Sequence, residues 1–95
     1  MRFTRDSLKE ARNKARHGLD FWFAEIVFAD PLHTIVFDRY QDGEERWHCV
    51  GAVGGGVRVL LLVHCYPDPD DFDLVWVIGL REATARERRR YEDGE

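Results

Sequence analysis

The sequence predicts an α+β domain: an N-terminal helix pair and one C-terminal helix packed on an antiparallel sheet of about four strands. Three observations carry this. Helix punctuation is concentrated in residues 6–31, β-type runs separated by turn residues fill residues 34–80, and a capping box opens the polar C-terminal segment.

Asp6 is placed to cap the first helix, and Leu8, Ala11 and Ala15 recur as a narrow apolar stripe, with Leu19 beyond. Gly18 suits the left-handed position that ends a helix, and Arg16 and His17 favour the negative end of its dipole. Asp20 then caps a second helix, Phe21–Ala29, which is apolar nearly all round and so belongs against the sheet; Asp30-Pro31 stops it.

Strands are expected at 34–37, 45–53, 57–66 and 72–80, with room for a short one at Arg2–Thr4. Gly54-Gly55-Gly56 joins the second and third as a hairpin, and Val57–Val63, apolar on both faces apart from Arg58, belongs in the centre of the sheet. On the last strand Phe72, Leu74, Trp76, Ile78 and Leu80 share one face, and Asp73, Val75, Val77, Gly79 and Arg81 the other. Thr84-Ala85-Arg86-Glu87 is a capping box for a helix reaching Tyr91 or Glu92. The helices are expected to cover one face of the sheet and leave the other partly open.

Ninety-five residues make one domain. The longest apolar run, Val59–Val63, is of strand length, far short of the roughly 18 residues of a membrane helix. The N-terminus lacks the apolar stretch of a signal peptide, so a cytoplasmic protein is expected. Cys49 and Cys65 stand alone in apolar segments without ligand spacing, which reads as two buried thiols in a reducing compartment. The glycine triplet lacks the pattern of a phosphate loop, and Asp68, Asp70 and Asp71 lack the glycine of a calcium loop.

The net charge of −4 argues against a nucleic-acid partner until its distribution is considered. Residues 1–18 carry six basic groups against two acids, whereas residues 19–45 carry one against seven. The tail holds Arg81, Arg86, Arg88, Arg89 and Arg90. Basic helices at both ends can build a local positive face around an acidic middle, or simply solvate their own surfaces.

Four motifs then fall into a familiar order. Asp6-x-x-Lys9-x-x-x-Asn13 leads to His17-Gly18-Leu19-x-Phe21; Val27-Phe28-x-Asp30 ends the second helix; Glu44-Glu45-Arg46-Trp47 opens a strand reaching Val50-Gly51; and Arg81-x-Ala83 precedes Glu87-Arg88-Arg89-x-Tyr91. Together they cover nearly the whole chain and resemble the signature of the BrnT family. The resemblance implies a RelE-like fold and a bacterial toxin that cleaves RNA and stops translation, with no cofactor or metal called for. It also implies a BrnA-like ribbon-helix-helix antitoxin, operator DNA being bound only through the toxin–antitoxin complex. Members of the family usually carry Trp where this chain has Arg5, Ser-Ala where it has Gly79-Leu80, and often Arg where it has Trp76. Those positions support the alternative, a non-catalytic interaction module that binds the antitoxin but has lost cleavage.

Metal-independent RNA cleavage needs a 2′-OH deprotonated, the charge on phosphorus stabilised and the leaving oxygen protonated. Arg46, in a matched motif, and Arg81, at a strand end, suit the second task; for Arg81 a salt bridge to Glu82 or Glu87 is the structural alternative. Glu45, His17, His48, His64 and Tyr91 can move protons, with Glu45, His64 and Tyr91 favoured. A tight glycine hairpin, with partners summing to about 109, sets Glu45 beside His64. Structural readings compete: a cross-strand polar pair for Glu45 and His64, and packing of the last helix for Tyr91. Lys9, Arg12, Arg16, Arg86, Arg89 and Arg90 are the candidates for holding the RNA backbone.

Overall fold

Asp6 begins the first helix as expected. Its carboxylate accepts from the backbone N–H groups of Leu8 and Lys9, and Gly18 closes the helix in the left-handed region. The computed structural model describes residues 1–94 and runs β1 (Arg2–Arg5), α1 (Ser7–His17), α2 (Phe23–Ala29), β2 (Thr34–Gln41), β3 (Glu44–Val53), β4 (Arg58–Cys65), β5 (Leu74–Glu82) and α3 (Ala85–Glu92). The five strands form one sheet in the order β1-β5-β4-β3-β2, antiparallel except where β1 pairs with β5. The apolar segment expected at the centre is the central strand, β4. No helix among the described residues is long and apolar enough to cross a membrane.

Several expectations change. The stripe of Leu8, Ala11 and Ala15 faces outward, and α1 is held instead by Asn13, its one buried residue. The Asn13 amide donates to the Leu19 carbonyl (3.1 Å) and accepts from the Leu80 N–H (3.0 Å), filling the edge of β5 where β1 has ended. The second helix starts two residues later than its apolar run suggests. Asp20 does not cap it: its carboxylate pairs with Lys14, and its backbone carbonyl closes a turn onto Phe23. Phe21 is buried, whereas Trp22 is half exposed and stacks on Phe23.

The sheet is longer at the β2–β3 end than expected. Asp42 and Gly43, both with positive φ, make a two-residue turn, so β2 runs on past Phe37 to Gln41. The Gly54–Gly56 hairpin is looser than a tight turn: Val53 faces Arg58 and Trp47 faces His64, so the partners of β3 and β4 lie two positions from the expected register. Two irregularities break the alternation, one at Asp38 between Phe37 and Arg39 and one at Ile78, where β5 carries a residue more than β4. Past Ile78 the faces of β5 exchange, which is why Val77 and Leu80 enter the same core.

The helices do not share one face. α2 and the link before it cover a core of Leu19, Phe21, Ala24, Val27, Cys49, Leu60, Leu62, Val77 and Leu80, and α1 is tied to its edge by Asn13. α3 crosses to the opposite face, where Tyr91 and Ala83 pack on Val50, Val59 and Leu61. The two cysteines are buried and unpaired, as expected. Gly51 marks the tightest helix–sheet approach: a Cβ there would stand 2.6 Å from the Val27 carbonyl oxygen. Gly51→Ala is therefore expected to force α2 away from β3 and cost about 1–3 kcal/mol in urea denaturation.

Candidate functional site

The alternation of β3 sends Arg46, His48 and Val50 to the face that carries α3, and Glu45, Trp47 and Cys49 to the other. Val50 faces Leu61, which faces Arg81, so Arg81 joins Arg46 and His48 on one sheet face. The extra residue in β2 adds Asp38, whose Oδ2 lies 3.3 Å from His48 Nε2 and also accepts from Arg39 Nε at 2.9 Å. A carboxylate on Nε2 fixes the ring orientation and leaves Nδ1 to take up a proton.

Two arginines flank His48 differently. Arg46, two residues along β3, has a buried Nε without a hydrogen-bond partner among the described residues. Arg81 is held by a bidentate pair with Glu87, Nη1 to Oε1 at 2.8 Å and Nη2 to Oε2 at 3.0 Å. Glu87 also accepts from the Thr84 N–H, completing the capping box read in the sequence. The Arg81 guanidinium, with Thr84, outweighs partial burial and holds the Glu87 carboxyl down at about 2. This pair sets α3 over the sheet and leaves a small cleft of about 80 Å³ lined by Thr34, Val36, His48, Val50, Leu61, Glu87, Arg90 and Tyr91. Its contents match general acid–base chemistry on a phosphate ester: an oriented imidazole, with the Arg90 guanidinium at its margin.

The other candidates fall elsewhere. Glu45 is not beside His64; it points to the opposite face from Arg46 and accepts from the Tyr40 hydroxyl at 3.0 Å. The four-residue hairpin loop, longer than a tight turn, is the reason. His64 is fully buried in T-shaped contacts with Phe28 and Tyr66, both ring nitrogens without a hydrogen-bond partner among the described residues, and burial pushes its pKa down to about 4. Tyr91 lines the cleft with its ring, but its hydroxyl donates to Asp30; burial and that bond push its pKa up to about 12. Arg86, Arg89 and Arg90 form no ion pair among the described residues, and Arg90 borders the cleft. Lys9, Arg12 and Arg16 flank Asn13 on α1, in the layer opposite α3, and His17 ends that helix exposed.

Asp38 was missed because Phe37-Asp38 reads as a strand end. The Asp42-Gly43 turn was the signal that extends β2 past it, leaving Asp38 unpaired in the ladder with its carboxylate within reach of His48.

Acid should weaken the fold through the buried His64 and the partly buried Glu87. His64 is neutral in the fold with a pKa near 4 against an ordinary 6.5, so its contribution is full above 6.5 and fades as pH falls through 4. Glu87, at about 2 against an ordinary 4.5, contributes fully above 4.5 and fades as pH falls through 2. Denaturant melts of His64→Phe between pH 7 and 4 are expected to show a smaller loss of stability than the parent. Arg81→Met should lower stability most above pH 4.5, and its stability should fall less than the parent's between pH 4.5 and 2.

The family model described as "Ribonuclease toxin, BrnT, of type II toxin-antitoxin system" matches residues 6–87 of the chain. No curated protein matches it.

Proposed function

Because the chain belongs to the BrnT family of ribonuclease toxins of type II toxin–antitoxin systems, we propose that the sheet face beneath α3 cleaves RNA, with His48 moving the proton. The observation that carries this reading is the convergence of the Asp38–His48 pair, Arg46 and the Arg90-bordered cleft on one face.

In this reading His48 Nδ1 takes the proton of a ribose 2′-OH while Asp38 holds Nε2. The 2′ oxygen bonds to the adjacent phosphorus, the bond to the 5′ oxygen breaks, and that oxygen leaves with a proton returned by the imidazolium. The products are a 2′,3′-cyclic phosphate and a 5′-OH end, and the step draws on no metal. Arg46 has a buried donor that a phosphate oxygen would satisfy, and Arg90 lies at the cleft margin; both oppose the charge that builds on phosphorus. Arg81 acts through Glu87 as a positioning residue, and Tyr91 as an anchor of α3.

Arg86 and Arg89 extend the positive rim along α3 for the RNA backbone. Lys9, Arg12 and Arg16, on the other layer, suit only flanking RNA that wraps the sheet edge. The cell-level reading is a cytoplasmic toxin that stops translation and growth until a small DNA-binding antitoxin of the ribbon-helix-helix type neutralises it.

Cleavage of single-stranded RNA by purified chain tests this directly. His48→Ala is expected to lose about 10²–10⁴-fold in rate, Arg46→Ala about 10²-fold, and Asp38→Asn a smaller factor. Induced expression of each variant should relieve growth arrest in the same order. A folded His48→Ala protein that cleaves at the parental rate overturns the assignment of His48. A parental chain that binds the antitoxin but neither cleaves RNA nor arrests growth is the non-catalytic module instead.

A further inference from the structure

We propose that the groove at the Asp42-Gly43 end of the sheet, away from the His48 cleft, docks a cationic segment of the antitoxin. The proposal rests on the family reading for the existence of that partner and goes beyond it in naming the surface and the chemistry it selects.

The groove, of about 420 Å³, is walled by Trp47, Tyr66 and Phe72, with Glu44 and Glu45 on its lip. Its aromatic rings meet edge to face, Trp47 to Tyr66 at 6.2 Å and Tyr66 to Phe72 at 5.2 Å, and the row continues through Phe37 to Tyr40. Phe72 is 66% exposed and Tyr40 69%, so this apolar surface is left in water by the chain's own packing.

Exposed aromatic rows also serve as base-stacking platforms, but the charge here selects against a polyanion. The Asp42, Glu44 and Glu45 carboxylates on the turn and Asp68 and Asp70 on the β4–β5 loop form no salt bridge among the described residues. Asp71 and Asp73 are neutralised, by Arg2 and the N-terminal amine respectively. These carboxylates lie within a Debye length of the groove and would repel a phosphate backbone. Aromatic faces beside uncompensated carboxylates suit Arg or Lys side chains, which gain cation–π and ionic contacts together. Docking here leaves the His48 face uncovered, so the groove serves as an anchor for the antitoxin rather than as the point of inhibition.

Isothermal titration of the purified chain with the purified antitoxin encoded beside it tests the proposal. Phe72→Ser and Glu45→Lys are each expected to weaken binding about tenfold or more, with thermal melts that show each variant folded. Phe72→Ser should keep the parental rate of RNA cleavage, and added salt should weaken parental binding more than that of Glu45→Lys. Parental affinity in both folded variants overturns the groove while leaving the family partner in place. Loss of single-stranded RNA binding, rather than antitoxin binding, by Phe72→Ser also overturns it, since the surface is then a nucleic-acid platform. A parental chain that binds no antitoxin overturns the partner reading and the proposal together.

Discussion

Asp30 is the constraint that joins the two faces of the sheet. One carboxylate oxygen accepts from the Ala52 N–H and the Tyr91 hydroxyl, and the other from the Leu32 N–H. These donors belong to β3, to α3 and to the loop that leaves α2. Burial alone would raise the Asp30 pKa, but the donors and nearby His33 outweigh it and hold the group ionised. Helices packed on opposite faces do not touch through the sheet, so a group at its margin has to connect them. Asp30 does this where β3 has run past its pairing with β2 and leaves the Ala52 N–H open.

The position of α3 therefore has two fixings, Tyr91 on Asp30 near its end and Glu87 on Arg81 near its start. No α3 residue is fully buried, so these polar contacts define its place more than apolar area does. Net hydrogen bonds contribute modestly, about 0.5–1.5 kcal/mol each, and more when a charge takes part. Two charge-assisted sets at the ends of an eight-residue helix determine its orientation, and with it the cleft beside His48.

Much of this was legible in the chain. Asp6, Gly18, the Thr84–Glu87 box and the apolar run of β4 each acted locally, and local chemistry is what a sequence displays. The Glu87 partner for Arg81 was among the alternatives, whereas the shared face of Arg46 and Arg81 emerges only from the strand register. What stayed hidden was long-range. The β3–β4 register turns on whether Gly56 and Val57 belong to the loop; with both in it His64 faces Trp47 instead of Glu45, and α2 buries it against Phe28. The face on which α3 lands is decided by Asp30 and Arg81, each far from its partner in sequence or on another element. α1 misled for a different reason. Its small apolar residues look like a core stripe, but a buried amide at Asn13 does the anchoring.

The extra residue at Asp38 has a consequence for how this sheet can change over time. A chain one residue shorter at that point would pair β2 with β3 without interruption, and its ladder would be more regular for the loss. It would also carry no carboxylate beside His48. Selection for foldability alone favours the even ladder, and the irregularity persists only where something other than stability keeps it. Length variation at this point in related chains thus separates those that retain an oriented imidazole from those that have kept only the scaffold.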